Sequence, residues 1–180
     1  MTSGTPGQGA PGAGVLLRRL WRHLWTDRAA LRRLVDDAAL DAIEATVREG
    51  EQGHRGEVRV VFEAALPLQA VLAGLTPRER ALEVFGLSRV WDTEDDSGVL
   101  LYVLLADHAV EIVADRGAAR AITPDRWQAV AADLARALAT GDARAGTCAA
   151  VTCLNGMLRH AFPVDGRANP DELPDRPSLL

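Results

Sequence analysis

Four carboxylates fall within five positions in the stretch WDTEDDSG (91–98): Asp92, Glu94, Asp95 and Asp96. Carboxylates this close repel one another, and three arrangements relieve that. A hard cation can gather their oxygens, an enzyme can use them in phosphate-ester chemistry, or water can solvate an acidic turn. The spacing is not that of a helix–loop–helix calcium site. Counted from Asp92, Ser97 stands where the sharp-turn glycine belongs and Val103 where the bidentate glutamate belongs.

Other reactive groups are sparse. The chain has no GxSxG nucleophile elbow and no HExxH zinc helix. All 20 cationic residues are Arg, so no lysine can form a Schiff base, complete a P-loop or hold pyridoxal phosphate. No organic cofactor is expected. Cys148 and Cys153 are five positions apart, which on a helix is a turn of about 500°. They point to different sides and read as reduced packing residues. Among the four histidines, His23 and His160 fall on helical stretches and read as surface residues, and His108 falls in a turn. His54 precedes a strand and is the histidine placed to approach the acidic loop for acid–base work. Arg116 and Arg89 are available to clamp a phosphate, but no nucleophile stands out.

These groups need elements to position them. The 180 residues, 48% of them hydrophobic, suffice for one domain with a proper core. A net charge of −5 argues against generic nucleic-acid binding. Residues 1–14 are rich in Gly, Pro, Ser and Thr and are expected to be disordered. Their GQGAPG fits a dinucleotide-binding pattern, yet no strand precedes it. The same segment lacks the features of a signal peptide, and no apolar run approaches the ~18 residues of a membrane span. A cytoplasmic protein without a transmembrane segment is expected.

Residues 15–25, VLLRRLWRHLW, predict an amphipathic basic helix. Such a helix can read as membrane-surface or partner-binding, but the expected arrangement is a terminal helix that lays its two Trp on its own domain and does not bind membranes. A long helix is predicted over 28–50. EVRVVFEA (57–64) alternates as a strand with one well-buried side. TPRE (76–79) carries a capping box with Pro at the first helical position. GVLLYVLL (98–105) is apolar on both faces, as a covered central strand should be, and VEIVA (110–114) returns beside it. Helices are predicted from Thr123-Pro124 to about Thr140 and over about 143–161. Trp91 and Trp127 are expected to plug the core near helix ends. The order α-β-α-β-β-α-α implies an α/β fold: a small mixed sheet, made of a β-α-β unit and an antiparallel hairpin strand, between helices. Residues 15–162 form the expected domain, and 163–180 a Pro-rich, acidic, irregular tail.

If Asp107-His108 is a two-residue hairpin loop, Leu101 faces Ala114 and Gly98 faces Gly117. Asp115 then lands beside the loop of Asp92, Glu94, Asp95 and Asp96.

The stretch 54–127, with HRGEVRVVFEAAL, TPRERALEVFGLSRVWDTEDDSGVLLYVLLADHAVEIVADRG and ITPDRW in fixed order, resembles the TPM domain family. That family includes thylakoid-lumen proteins of plants and many bacterial proteins, and the tail NPDELPDRPSLL is similar to a short, soluble bacterial branch. The resemblance covers about residues 26–180. It implies an α/β fold, and activities variously ascribed as acid phosphatase, calcium binding and accessory roles at membrane complexes. It also implies that Asp92, Glu94, Asp95, Asp96 and Asp115 are the metal-site positions. The expected function is an accessory or interaction domain with a protein partner, binding Ca²⁺ or Mn²⁺ at the acidic loop. Without a ligand cage the dissociation constant would be on the order of 10⁻⁴–10⁻³ M. The alternative is a weak metal-assisted acid phosphatase.

Overall fold

The Thr76 hydroxyl accepts from the Glu79 amide at 3.2 Å, and the Glu79 carboxylate accepts from the Thr76 amide at 2.8 Å. With Pro77 in the first turn, this starts the helix where the sequence places it. The computed structural model describes residues 12–166 and 172–180. Its elements are α1 (Ala13–Trp25), α2 (Arg28–Leu34), α3 (Asp37–Glu51), β1 (Glu57–Glu63), α4 (Leu68–Leu72), α5 (Pro77–Leu87), β2 (Gly98–Leu104), β3 (Ala109–Ala114), α6 (Arg116–Ala121), α7 (Pro124–Ala139), α8 (Ala143–Ala161) and β4 (Ser178–Leu179). The expected disordered segment 1–14 lies outside the described residues up to residue 11.

The sheet runs β3-β2-β1-β4, with β1 parallel to β2 and β4 and with β3 antiparallel to β2. This is the expected small mixed sheet between helices. Alternate side chains divide two cores. Val58, Val60, Phe62, Val99, Leu101 and Val103 pack with Ile43, Val47, Leu134, Val151 and Leu154 of α3, α7 and α8. On the other face Val61, Leu100, Tyr102 and Leu104 pack with Val71, Ala81 and Val84 of α4 and α5. Every residue of β1 and β2 is buried. Each buried aliphatic side chain contributes about 1.5–3 kcal/mol before the entropy of ordering is counted.

Four features differ from the sequence expectation. The predicted long helix is two helices, because Val35 turns into the core at 1% exposure and Asp36 caps a new helix by accepting from the Ala39 amide. The hairpin loop is four residues rather than two, since Leu104 faces Ala109 and Leu101 faces Ile112. His108 takes φ 51 and its amide donates to the Leu105 carbonyl. The register therefore moves by an even step, and every side chain keeps its face.

The tail also departs from irregularity. Val61 faces Ser178 and Phe62 faces Leu179, so β4 covers the outer edge of β1. Arg59, buried within β1, holds this strand by donating to the carbonyls of Pro174 and Arg176 and to the Ser178 hydroxyl. Last, α1 docks through Leu16, Leu20 and the buried His23, and both Trp21 and Trp25 stay exposed. His23 is thus no surface residue. Its Nδ1 accepts from the Leu66 amide at 2.9 Å, and its Nε2 lies 3.1 Å from Asp107.

Candidate functional site

Val90, fully buried, ends the turn after α5 and anchors the acidic loop. Trp91 does not plug the core: it is 51% exposed, and Val90 takes the inward position. Trp127 is buried as expected. The Asp92 amide donates to the Arg89 carbonyl, and the Asp96 amide to the Thr93 carbonyl. Asp96 sits at φ 52, a left-handed position that Asp tolerates better than most residues. The Thr93 hydroxyl accepts from the Ser97 amide at 3.0 Å, and the Ser97 hydroxyl donates to the Arg55 carbonyl at 3.1 Å. The loop is therefore closed by its own backbone and tied to the start of β1.

The five carboxylates have three different situations. Asp95 forms a close ion pair with Arg55 Nη1. Asp96 pairs with Arg116 Nη2 at 3.4 Å. Asp115 is 7% exposed and caps α6, accepting from the Arg116 amide at 2.7 Å, while its buried Oδ2 has no hydrogen-bond partner among the described residues. Asp92 and Glu94 are exposed. The Asp115 amide donates to the Gly98 carbonyl, so the observed register brings Asp115 beside the loop as the sequence expected. The amides of Gly117 and Ala118 donate to the Asp96 carbonyl. Only glycine permits this approach, because a Cβ at 117 would lie 2.5 Å from the Asp95 carbonyl oxygen.

A hard cation needs about six to eight oxygen ligands around one point. Here Asp95 and Asp96 are turned to separate guanidinium groups, and Asp92 and Glu94 face solvent. Among the described residues, no group of three or more His, Cys, Asp and Glu is arranged to hold a metal ion. As arranged, the residues do not make a cage for a hard cation. Asp115 Oδ2 remains an oxygen that a water or ion could satisfy.

His54 does lie at the acidic end, but it is fully buried and its ring is occupied. Nδ1 accepts from the Gly56 amide at 3.2 Å and Nε2 pairs with Asn155 Oδ1 at 3.1 Å. Burial pushes its pKa down, so it is held neutral as a structural link between β1 and α8. A groove of about 650 Å³ lies along β3, lined by Arg78, Glu111, Ile112, Trp127 and Gln128, and none of the loop acids borders it.

Sequence reasoning missed two things. Arg55, the loop's main cation, has one legible signal: it precedes β1, whose start lies beside the start of β2. The second is a buried acid cluster under the tail, formed by Glu51, Glu57 and Asp175. Glu51 accepts from the Val58 amide at 2.8 Å. Its pKa is pushed up to about 9 by burial first, then by the negative charge of Glu57 and Asp175. Asp175 accepts from Arg48 at 3.0 Å, and among the described residues its Oδ1 finds no donor unless the Glu51 carboxyl carries a proton.

A family model described as TPM domain matches residues 31–156. Among solved structures, the chain is similar to the NMR structure of BA42 protein from the psychrophilic bacterium Bizionia argentinensis, with a TM-score of 0.69 and 24% identity over 81% of this chain and 94% of that one. At that identity the likeness establishes the fold. No curated protein matches.

Proposed function

From the premise that this chain belongs to the TPM domain family, matched over residues 31–156, we propose that it is a non-catalytic accessory domain that engages a protein partner through the loop Trp91–Asp96. The observation that carries this reading is the division of labour within the loop. Asp95, Asp96 and Asp115 are engaged internally, by Arg55, by Arg116 and by the start of α6. They are the mount. Trp91, Asp92 and Glu94 project from it into solvent. An exposed aromatic followed by carboxylates suits a basic protein surface carrying an apolar notch. Ca²⁺ or Mn²⁺ would associate with such a loop only weakly, with dissociation constants on the order of 10⁻⁴–10⁻³ M.

The competing reading, a metal-assisted phosphatase, needs activity that depends on the mount. Phosphate release from a generic phosphomonoester should be measured at acidic and neutral pH, with and without Ca²⁺ or Mn²⁺. The expected result is no release above background, unchanged in the Asp95→Asn and Asp96→Asn variants. Activity that co-purifies with the parent and disappears in those variants would establish the enzyme instead.

A further inference from the structure

The N-terminal helix presents two faces of opposite character. Its inner face is firmly held. Leu16 and Leu20 pack on the core beside α4, and the Arg19 guanidinium donates to Asp107 at 2.8 Å and to the Leu75 carbonyl at 2.6 Å. His23 is sealed against Leu66 and Asp107. The rotation of α1 about its axis is thereby set, and the outer face cannot roll inward without breaking these contacts.

That outer face is apolar. Leu17, Trp21, Leu24 and Trp25 are 57%, 54%, 60% and 71% exposed. At 100° per residue, these four fall within an arc of about 100°. Trp21 and Trp25 stack with ring centroids 5.9 Å apart and planes within 1°, so the two indoles form one aromatic pair on this face. Arg18 and Arg22 follow next around the helix, both exposed. The chain carries a net charge of −5, yet residues 15–35 hold six Arg against one Asp. Among the described residues, Arg18, Arg28, Arg32 and Arg33 form no ion pair, and all four are exposed.

We propose that this outer face of α1 docks on an anionic lipid bilayer. The helix lies in the plane of the headgroups, its Trp and Leu side chains enter the acyl boundary, and the arginines meet the lipid phosphates. Thirteen residues span only about 20 Å as a helix, too short to cross the hydrocarbon core. Among the described residues no helix is long and apolar enough to cross. A second copy of this chain is the poorer occupant, because an isologous contact would oppose two strongly basic stretches. Asp107, which holds α1, follows the C-terminal end of β2, and the acidic loop precedes its N-terminal end, so a seven-residue strand separates the acidic loop from the anchor of α1 by about 20 Å, beyond the Debye length at physiological salt. This proposal stands apart from the reading of the loop, since neither set of residues enters the other's test.

The test is cosedimentation of the full chain with vesicles of phosphatidylcholine alone, or of phosphatidylcholine mixed with phosphatidylglycerol. Binding to the phosphatidylglycerol vesicles that falls with added salt, with a blue shift of tryptophan emission, is the expected result. Trp21→Ala with Trp25→Ala should weaken binding by about tenfold or more, and Arg18→Gln with Arg28→Gln should flatten its salt dependence. These side chains are exposed, and unaltered melting of the variants would confirm that they fold. No cosedimentation at low salt, or equal binding by the double Trp variant, would overturn the proposal. So would a dimer abolished by the Trp changes in a protein that ignores vesicles, which would assign the face to self-association.

Discussion

Glu63→Ala is expected to lower stability by about 3–5 kcal/mol, read as a fall in the urea midpoint. Glu63 is 4% exposed at the end of β1. Its carboxylate takes a two-point ion pair from Arg80 of α5, at 2.9 and 3.0 Å, and a hydrogen bond from the buried Tyr102 hydroxyl at 2.6 Å. Burial, and then the bond to Glu63, push the Tyr102 pKa well above its usual value, so the hydroxyl stays a donor. Removing Glu63 leaves the buried Tyr102 hydroxyl without its acceptor and the half-buried Arg80 guanidinium with the exposed Glu83 carboxylate alone. The loss comes from those stranded partners more than from the pair itself, so Tyr102→Phe should cost only about 1 kcal/mol. A Glu63→Ala protein as stable as the parent would mean that α5 is not fastened to the sheet in this way.

Glu51→Gln is expected to act in the opposite direction. The Glu51 carboxyl has its pKa raised from 4.5 to about 9, so the fold favours its protonated form. Its stabilising contribution is full below pH 4.5, declines as pH rises and is lost through about 9. Glutamine keeps an acceptor for the Val58 amide, supplies a donor toward Asp175 and cannot ionise. The variant should therefore match the parent near pH 4 and exceed it by about 1–3 kcal/mol at pH 7. Thermal denaturation across that range checks it. A gain independent of pH would show that Glu51 is not the group that carries this strain.

Much of the fold was legible because it is written locally. The capping box at Thr76–Glu79, the doubly apolar β2 and the helix starts at Thr123-Pro124 each depend on residues a few positions apart. The misses depend on distant partners. Asp36 reads as one more acid in an acidic run until Val35 is seen buried. β4 has no periodicity to read in two residues, and its place is set by Arg59, more than a hundred positions earlier. The outward Trp residues follow from Asp107 fixing Arg19 across 88 positions. The acidic loop shows the same limit. Its carboxylates, the approach of Asp115 and the neighbouring Arg116 were readable, but the cation of Asp95 was not. Arg55 lies 40 positions from Asp95 in sequence. Without it, four adjacent acids look like mutual repulsion awaiting an ion. With it, they look like a fastened turn.

That distinction can be measured directly. Asp95→Asn and Asp115→Asn should be melted in EDTA and again across a Ca²⁺ titration. If these carboxylates are the mount, each variant melts lower than the parent without any ion, by roughly 2–6 °C, and Ca²⁺ shifts the parent only at millimolar concentration. The contrary result is a higher ion-free midpoint in the variants, together with a micromolar Ca²⁺ shift in the parent that they lose. It would mean that repulsion dominates the loop and that its acids form a cation site.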